Sequence, residues 1–417
     1  MSQDKPTGES YLIVGGGTSL GEAIVRLLLC RGEARVSVFD ALPLAPEQVA
    51  EFGDRVRVFV GEILAPKVVS DAIRSCEATC IISTGMVSIP PVKNIRYPSA
   101  YASPLTSTQD VQVKEELRIV HRRTSIEGNR NLVSAIFKNS VKQLVYFGSA
   151  ESMFNGTERP NLREDDVPCF PKPWIPKLEV AAVGERIVLD AHGQMGLAVA
   201  VIRPAILFGP TYDQYMALNR SQAKPQLSAV CAGDNTKLSD MAYTDNAAHA
   251  GILAADRLAV SHPRHSATIG RAFIVSDGDP RPTWDLPRDL WAAASHTTPP
   301  TPVRVPVKSF YSQPGALAKL LGRKEIRGEK NRAWFWYCAT RTYDISLARD
   351  VLGYEPIVSH DEGIRRTAEW WLSRQRKLKE LKEGSQTAQS PGSSSDNPPP
   401  AYGVETNTTK LASGCVF

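Results

Sequence analysis

The chain has 417 residues, 42% of them apolar, enough for one large two-part unit or two domains with a sizeable core. Its 49 basic and 44 acidic residues leave a net charge of only +5, and the basic residues are scattered apart from the run Arg374 to Lys382, so nothing resembles a nucleic-acid footprint. Apolar stretches such as Ala198–Ile202 and Ala333–Cys338 are far too short to span a bilayer, and the polar Met1–Ser10 carries no apolar signal segment.

Tyr11–Val14 is a short apolar run that ends in Gly15-Gly16-Gly17. A helical pattern follows, with Leu20, Ile24, Leu27 and Leu28 on one face, and Arg35–Asp40 then reads as a second strand. Strand, glycine turn, helix and strand in close succession form the βαβ unit of a parallel sheet. Val56–Val60 predicts a third strand, Val68–Ser75 a helix and Thr79–Ser83 a fourth strand. Leu117 to Phe137 carries helical periodicity, Gln143–Phe147 predicts a fifth strand, Val180–His192 a helix and Ala198–Ile202 a sixth strand. The alternation predicts a doubly wound α/β sheet covered on both faces.

After Arg203 proline and glycine become frequent and the rhythm loosens. Residues 10–202 therefore read as a nucleotide-binding Rossmann domain with a return helix near 240–258, and residues 203–374 mostly as a smaller, discontinuous C-terminal substrate lobe. Ile89–Asp110 and His296–Arg332 are long for loops in a compact domain and read as lids or mobile segments. Residues 375–417 form an expected disordered tail, rich in Ser, Gly, Pro, Gln and Asn from about Gly384. It contains Pro399-Pro400-Ala401-Tyr402, the PPxY pattern that WW domains bind, which makes a WW-domain protein a candidate partner. Cys415 stands third from the end, so the prenylation signal is absent. Seven cysteines at irregular spacing, with Cys76 and Cys80 as a lone CxxxC, predict free thiols and no metal site. A cytoplasmic location is expected, with peripheral attachment to the endoplasmic reticulum membrane as the second expectation.

The first turn reads Gly15-Gly16-Gly17-Thr18-Ser19-Leu20-Gly21. A dinucleotide fold needs glycine where the backbone bends, where it meets the pyrophosphate and where the helix packs on the strand. Gly15, Gly16 or Gly17, and Gly21 fill those roles, and pyrophosphate would sit on the N–H groups of the helix start. A Cβ at Thr18 crowds the phosphates, or its hydroxyl donates to them. Asp40 follows Gly21 by 19 residues at the end of the second strand, where a carboxylate bonds both ribose hydroxyls of NAD. No arginine immediately follows it, which disfavours NADP. The alternative is that the glycines only make a turn and Asp40 only ends a strand.

Six further segments carry a family resemblance. Ile126–Leu132 (IEGNRNL) resembles NVxGTxNL, Val141–Ser149 (VKQLVYFGS) resembles VKxLVYTSS, and Ile202–Pro210 (IRPAILFGP) resembles IRPxxIFGP. Asp240–Ala250 is similar to DxxYVxNxAxAH, Arg271–Gly278 to GQAFFITNG, and Leu352–Pro356 with Glu362–Ile364 to LGYxPxxxxxEGI. In that order, from about Tyr11 to Trp371, they resemble the extended short-chain dehydrogenases of the 3β-hydroxysteroid dehydrogenase/isomerase and sterol-4α-carboxylate 3-dehydrogenase (decarboxylating) type.

The resemblance implies an NAD-dependent oxidoreductase for a small hydrophobic alcohol or ketone, sterol or terpenoid-like, often paired as a homodimer through helices. It further implies cofactor contacts at Glu62, Ile63, Thr84, Pro204 and Ile206, and a serine, here Ser149, that polarises the substrate oxygen. Ser149 reads alternatively as a strand-end serine capping a turn. In the family a tyrosine takes the hydroxyl proton and a lysine four residues later lowers the tyrosine pKa. The matching segment YxxxKAxGE falls on Lys177–Glu185, anchored by Ala182, Gly184 and Glu185, and puts Lys177 at the tyrosine position and Ala181 at the lysine position. No tyrosine occurs between Tyr146 and Tyr212, and Ser125 replaces the asparagine that often supports the proton relay. Three readings follow: Lys177 serves as base if burial and the cofactor's charge lower its pKa; the chain performs a non-redox isomerisation, cyclisation or dehydration; or it only binds nucleotide or a partner. Lys177 also reads as a surface lysine after Pro176.

Overall fold

The computed structural model describes residues 5–85, 108–154, 157–166, 176–210, 229–299, 301–306 and 338–387. Pro399–Tyr402 and most of the insertions at Ile89–Asp110 and His296–Arg332 lie outside the described residues. The strands are β1 (Tyr11–Val14), β2 (Val36–Asp40), β3 (Val56–Val60), β4 (Cys80–Ser83), β5 (Gln143–Phe147), β6 (Arg159–Leu162), β7 (Ala198–Pro204), β8 (Ile206–Phe208), β9 (Val230–Ala232), β10 (Leu238–Ser239), β11 (Met241–Tyr243), β12 (Arg271–Val275), β13 (Arg281–Pro282), β14 (Val303–Val305) and β15 (Arg341–Tyr343). The helices used below are α1 (Ser19–Arg31), α2 (Pro46–Phe52), α3 (Pro66–Ser75), α4 (Thr108–Lys138), α5 (Pro176–Asp190), α6 (Thr244–Arg257), α7 (Asp285–Ser295) and α8 (His360–Thr387).

The main sheet has seven strands in the order β3-β2-β1-β4-β5-β7-β12, parallel at every pairing. Strands β1, β2, β4 and β7 are buried along their whole length, which is why they read as continuous apolar runs rather than alternating ones. Edge strand β3 is exposed at three of its five positions. One core lies under α1 and α6, built on Ile13, Ile24, Phe147 and Ile202. The other lies under α3, α4 and α5, built on Leu12, Ile73, Ile136 and Val188. The register is level across the sheet: Val14 lies opposite Phe39 and Ser83, Ser83 opposite Tyr146, and Tyr146 opposite Val201. The residues that leave the strands therefore emerge along one straight edge.

Two elements from late in the sequence complete this sheet. Helix α6 packs on α1, β5 and β7. It lies so close that a Cβ at Gly251 would stand 2.4 Å from the ring of Phe147. Strand β12 pairs with β7, although the sequence places it among the residues of the second lobe. Its burial pattern alone does not tell which sheet it joins; the pairing partner decides.

A second sheet, β13-β10-β15-β6, takes β6 from within residues 10–202, and a third core is built on Phe208, Tyr243, Leu290, Ile364 and Trp371. Helix α8 continues through Thr387, so the tail expected from residue 375 is helical in its first part. The run Arg374–Lys382 consists largely of good helix formers and simply prolongs the helix. Buried polar groups join the lobes. Asn246, at the start of α6, accepts from the N–H groups of Ile357 and Val358, each at 2.8 Å. It donates to Asp277 at 2.7 Å and to the Val358 carbonyl at 2.8 Å. Replacing it leaves the N–H groups of Ile357 and Val358 and the Val358 carbonyl without this partner, while Asp277 keeps the Tyr243 N–H. Asn246→Ala is expected to cost about 3 kcal/mol, read as a lower midpoint in thermal unfolding.

Candidate active site

The glycine turn is set by close approach. Gly15 has φ +83°, a left-handed conformation that favours glycine. A Cβ at Gly16 would meet the Val38 methyls at 2.6 Å, and one at Gly21 would meet the Gly15 carbonyl at 2.3 Å. Helix α1 thus rests directly on the bend. Thr18 is its N-cap: Oγ1 accepts from Gly21 N–H at 3.1 Å and donates to the Gly15 carbonyl at 2.7 Å. Its hydroxyl proton is used inside the turn. Asp40 is buried at the end of β2, where its carboxylate accepts from Gly17 N–H at 2.9 Å and from Ala41 N–H at 2.7 Å. The carboxylate thus ties the turn to β2. Ser19 and Leu20 form the first residues of α1, where unpaired N–H groups gather.

The other sequence-derived positions follow along the same edge. Thr84 leaves β4 buried, with its N–H and hydroxyl both donating to the Val14 carbonyl, at 3.0 and 3.3 Å. Glu62 is exposed just beyond β3. Ile63 is buried in the core beneath Gly128, and its carbonyl accepts from Asn131 at 3.1 Å. Pro204 ends β7 and Ile206 opens β8, half-buried. From β2 to β7 the edge crosses four strand spacings, about 19 Å. It runs Asp40, Gly15, Thr84, Ser149, Pro204, about the reach of an extended dinucleotide.

Ser149 leaves β5 and caps the short turn Ala150–Met153, its Oγ accepting from Glu151 N–H at 3.2 Å. That bond uses one lone pair of Oγ and leaves the O–H able to donate. Two buried charge clusters fix the segment. Behind Gly148, Arg203 donates twice to Glu185, at 2.7 and 2.9 Å. Beyond Ser149, Glu151 accepts from Arg341 at 2.7 Å and from the Tyr343 hydroxyl at 2.8 Å. Burial raises the pKa of Glu151, while Arg341 and Tyr343 oppose the rise.

Lys177 and Ala181 stand one turn apart in the first half of α5, on one side of the helix. The Lys177 side chain lies outside the described residues. Tyr146 does not replace the missing tyrosine: its phenol accepts from Asn129 at 3.0 Å, burial raises its pKa, and Gly184 packs against it. Asn129 also donates to the Ser125 carbonyl at 2.7 Å, one turn from the position where the asparagine was expected. Sequence reading missed Gly85. It has φ +71°, and a Cβ there would meet the Phe147 carbonyl at 2.1 Å, so β4 and β5 leave the sheet in contact. Its signal was a glycine directly after an apolar strand.

The model of the 3-beta hydroxysteroid dehydrogenase/isomerase family matches residues 12–305. A sterol-4-alpha-carboxylate 3-dehydrogenase, decarboxylating, of Schizosaccharomyces pombe is 30% identical over 374 residues, 87% of this chain and 97% of the relative. Its Candida albicans counterpart is 28% identical over 379 residues, again 87% and 97%. A 2-alkyl-3-oxoalkanoate reductase of Stenotrophomonas maltophilia is 27% identical over 360 residues, 85% and 97%. Among solved structures, a dTDP-glucose 4,6-dehydratase from Bacillus anthracis in complex with NAD superposes with a TM-score of 0.61 at 16% identity, covering 89% of this chain and 99% of that one. That likeness concerns the fold. Gly148→Ala would place a methyl 2.1 Å from Glu185 Oε2. It is expected to cost about 1–3 kcal/mol through displaced side chains, read by chemical denaturation.

Proposed function

The chain belongs to the 3-beta hydroxysteroid dehydrogenase/isomerase family, and we propose that it is an NAD-dependent oxidoreductase acting on the 3-hydroxyl of a sterol or terpenoid-like compound. The observation that carries this reading is the single sheet edge on which the glycine turn, Asp40, Thr84 and Ser149 fall in line. The turn fits a dinucleotide: without a Cβ, Gly16 packs against Val38 and Gly21 against the Gly15 carbonyl, so that α1 starts directly at the bend and points its first N–H groups there. Gly15 to Gly21 would hold the pyrophosphate and Asp40 the ribose hydroxyls, with Glu62 and Ile63 beside the adenine end and Thr84, Pro204 and Ile206 toward the nicotinamide. When bound, NAD supplies the acceptor for hydride from the carbinol carbon.

The chain's own residues then handle the oxygen. Ser149 donates to it and holds it in place. Lys177, in its neutral form, takes the hydroxyl proton as the carbonyl forms. It stands in the first turn of α5, where the helix dipole disfavours positive charge. Ala181 offers no second amine, so the relay is shorter than the family's.

A sterol is scarcely soluble in water, which supports a cytoplasmic protein attached peripherally to the endoplasmic reticulum membrane. No helix among the described residues is long and apolar enough to cross a membrane. The PPxY segment supports a WW-domain partner, and the long helices α4 and α5 on one face support a homodimer.

Incubation of the full chain with NAD and 3-hydroxy sterols, with and without a 4α-carboxylate, is expected to yield the 3-ketone and NADH, detected by mass spectrometry and absorbance. Unchanged sterol would overturn the redox reading. Lys177→Ala is expected to abolish turnover; a retained rate removes it from the role of base. Asp40→Ala is expected to raise the dissociation constant of NAD roughly tenfold or more, measured by calorimetry, and unchanged affinity would show the ribose contact to be elsewhere.

A further inference from the structure

Where α8 meets the nucleotide lobe, two buried polar atoms face each other. Asp277 follows β12, and its Oδ1 accepts from Tyr243 N–H at 2.8 Å and from Asn246 at 2.7 Å. Its Oδ2 has no hydrogen-bond partner among the described residues, and neither has Nδ1 of His360, the first residue of α8. The two atoms are 4.0 Å apart, and both side chains are only 2% exposed. Nothing is gained by leaving two such groups unsatisfied side by side. A protonated carboxyl donates through Oδ2 and an imidazole nitrogen accepts, so one proton serves both once the 4.0 Å gap closes to hydrogen-bond length.

We propose that Asp277 and His360 share one buried proton and so form a pH-sensitive latch that holds the start of α8 against β8, β11 and the end of β12. The surroundings favour the protonated carboxyl. Asp240, beside β10, and Asp279 both add negative charge around Asp277. Around His360 stand Arg281 of β13, Asp279, Asp285 of α7 and Asp361 of α8 itself. Arg281 donates to Asp279 at 2.6 Å and so is already engaged. From β8 the neighbour is the Phe208 ring, 5.0 Å from the imidazole, which offers no charge. Burial is the largest influence on both groups: it pushes the Asp277 carboxyl up to about 7 and lowers the His360 imidazole.

The two directions define a window. A carboxyl with a raised pKa binds its proton more tightly folded than unfolded, so its contribution is full at low pH and is lost as pH rises from the ordinary carboxylate range toward about 7. The imidazole, lowered, loses its contribution as pH falls through its folded value. The latch is closed in weakly acidic to neutral solution and strained above it. The strands it grips are not remote from chemistry, because β8 begins at Ile206 and Gly363 of α8 packs on Phe208 and Tyr243.

The test uses the full chain. Asp277→Asn keeps the acceptor for Tyr243 and Asn246 and supplies a permanent N–H toward His360. The difference in unfolding midpoint, variant minus wild type, is expected to rise by several degrees between pH 5 and pH 7.5. A difference independent of pH overturns the proposal. Infrared spectra of the wild type at pH 6 are expected to show a protonated-carboxyl C=O stretch that Asp277→Asn removes; a band unaltered in that variant also overturns it. Should Asp277→Asn fail to fold, His360→Gln serves: its amide donates to Oδ2, favours the carboxylate and is expected to remove the same band, whereas a band titrating as in wild type rejects His360 as the partner.

Discussion

The architecture hangs on how near α1 comes to the end of β1. With 2.3 Å between a would-be methyl at 21 and the Gly15 carbonyl, no other residue fits without moving the helix. Val38 closes the bend from the side, Thr18 closes it from within, and Asp40 ties it to β2. Three separate contacts thus hold one short turn. The level register of β1, β2, β4 and β5 then carries that fixed point along the sheet, so that Ser149 is placed by backbone hydrogen bonds rather than by its own side chain.

Buried charge does the remaining positioning. The pairs Glu185 with Arg203 and Glu151 with Arg341 flank the segment that carries Ser149 on its two sides. Such pairs add little net stability compared with apolar packing, but removing one member is costly, so they enforce a single arrangement. Arg341 and Tyr343 belong to the second sheet, so that sheet is held to the segment that carries Ser149. The chain matches the family over residues 12–305, and its departures from the family pattern include Lys177 and Ala181 in α5 and Ser125 in α4.

Much of this was legible from the sequence. Strands β1, β2 and β4 and the glycine turn announce themselves because fully buried parallel strands are short, apolar and bounded by turn residues. Less legible were the partners of residues far apart. Strand β12 looks like any half-buried strand until its pairing with β7 is known, and Glu151 gives no sign of Arg341, 190 residues away. That Thr18 caps α1 was not read from the sequence, because one letter does not say which way a hydroxyl points. Gly85 and Gly148 were passed over because their importance lies in what a Cβ would strike across the sheet.

Helix α6 and strand β12 have a consequence for how the protein is made. The lobe that begins at Tyr11 is not finished until Val275 has left the ribosome, since both its last strand and the helix covering Phe147 come from beyond residue 240. Until then β7 presents an open edge, and the apolar faces of Phe147 and Ile202 lack their cover. A nascent chain halted in that interval is a sticky intermediate, exposed to chaperone capture or misassociation for the roughly 4–14 s that about 70 further residues require at ordinary elongation rates.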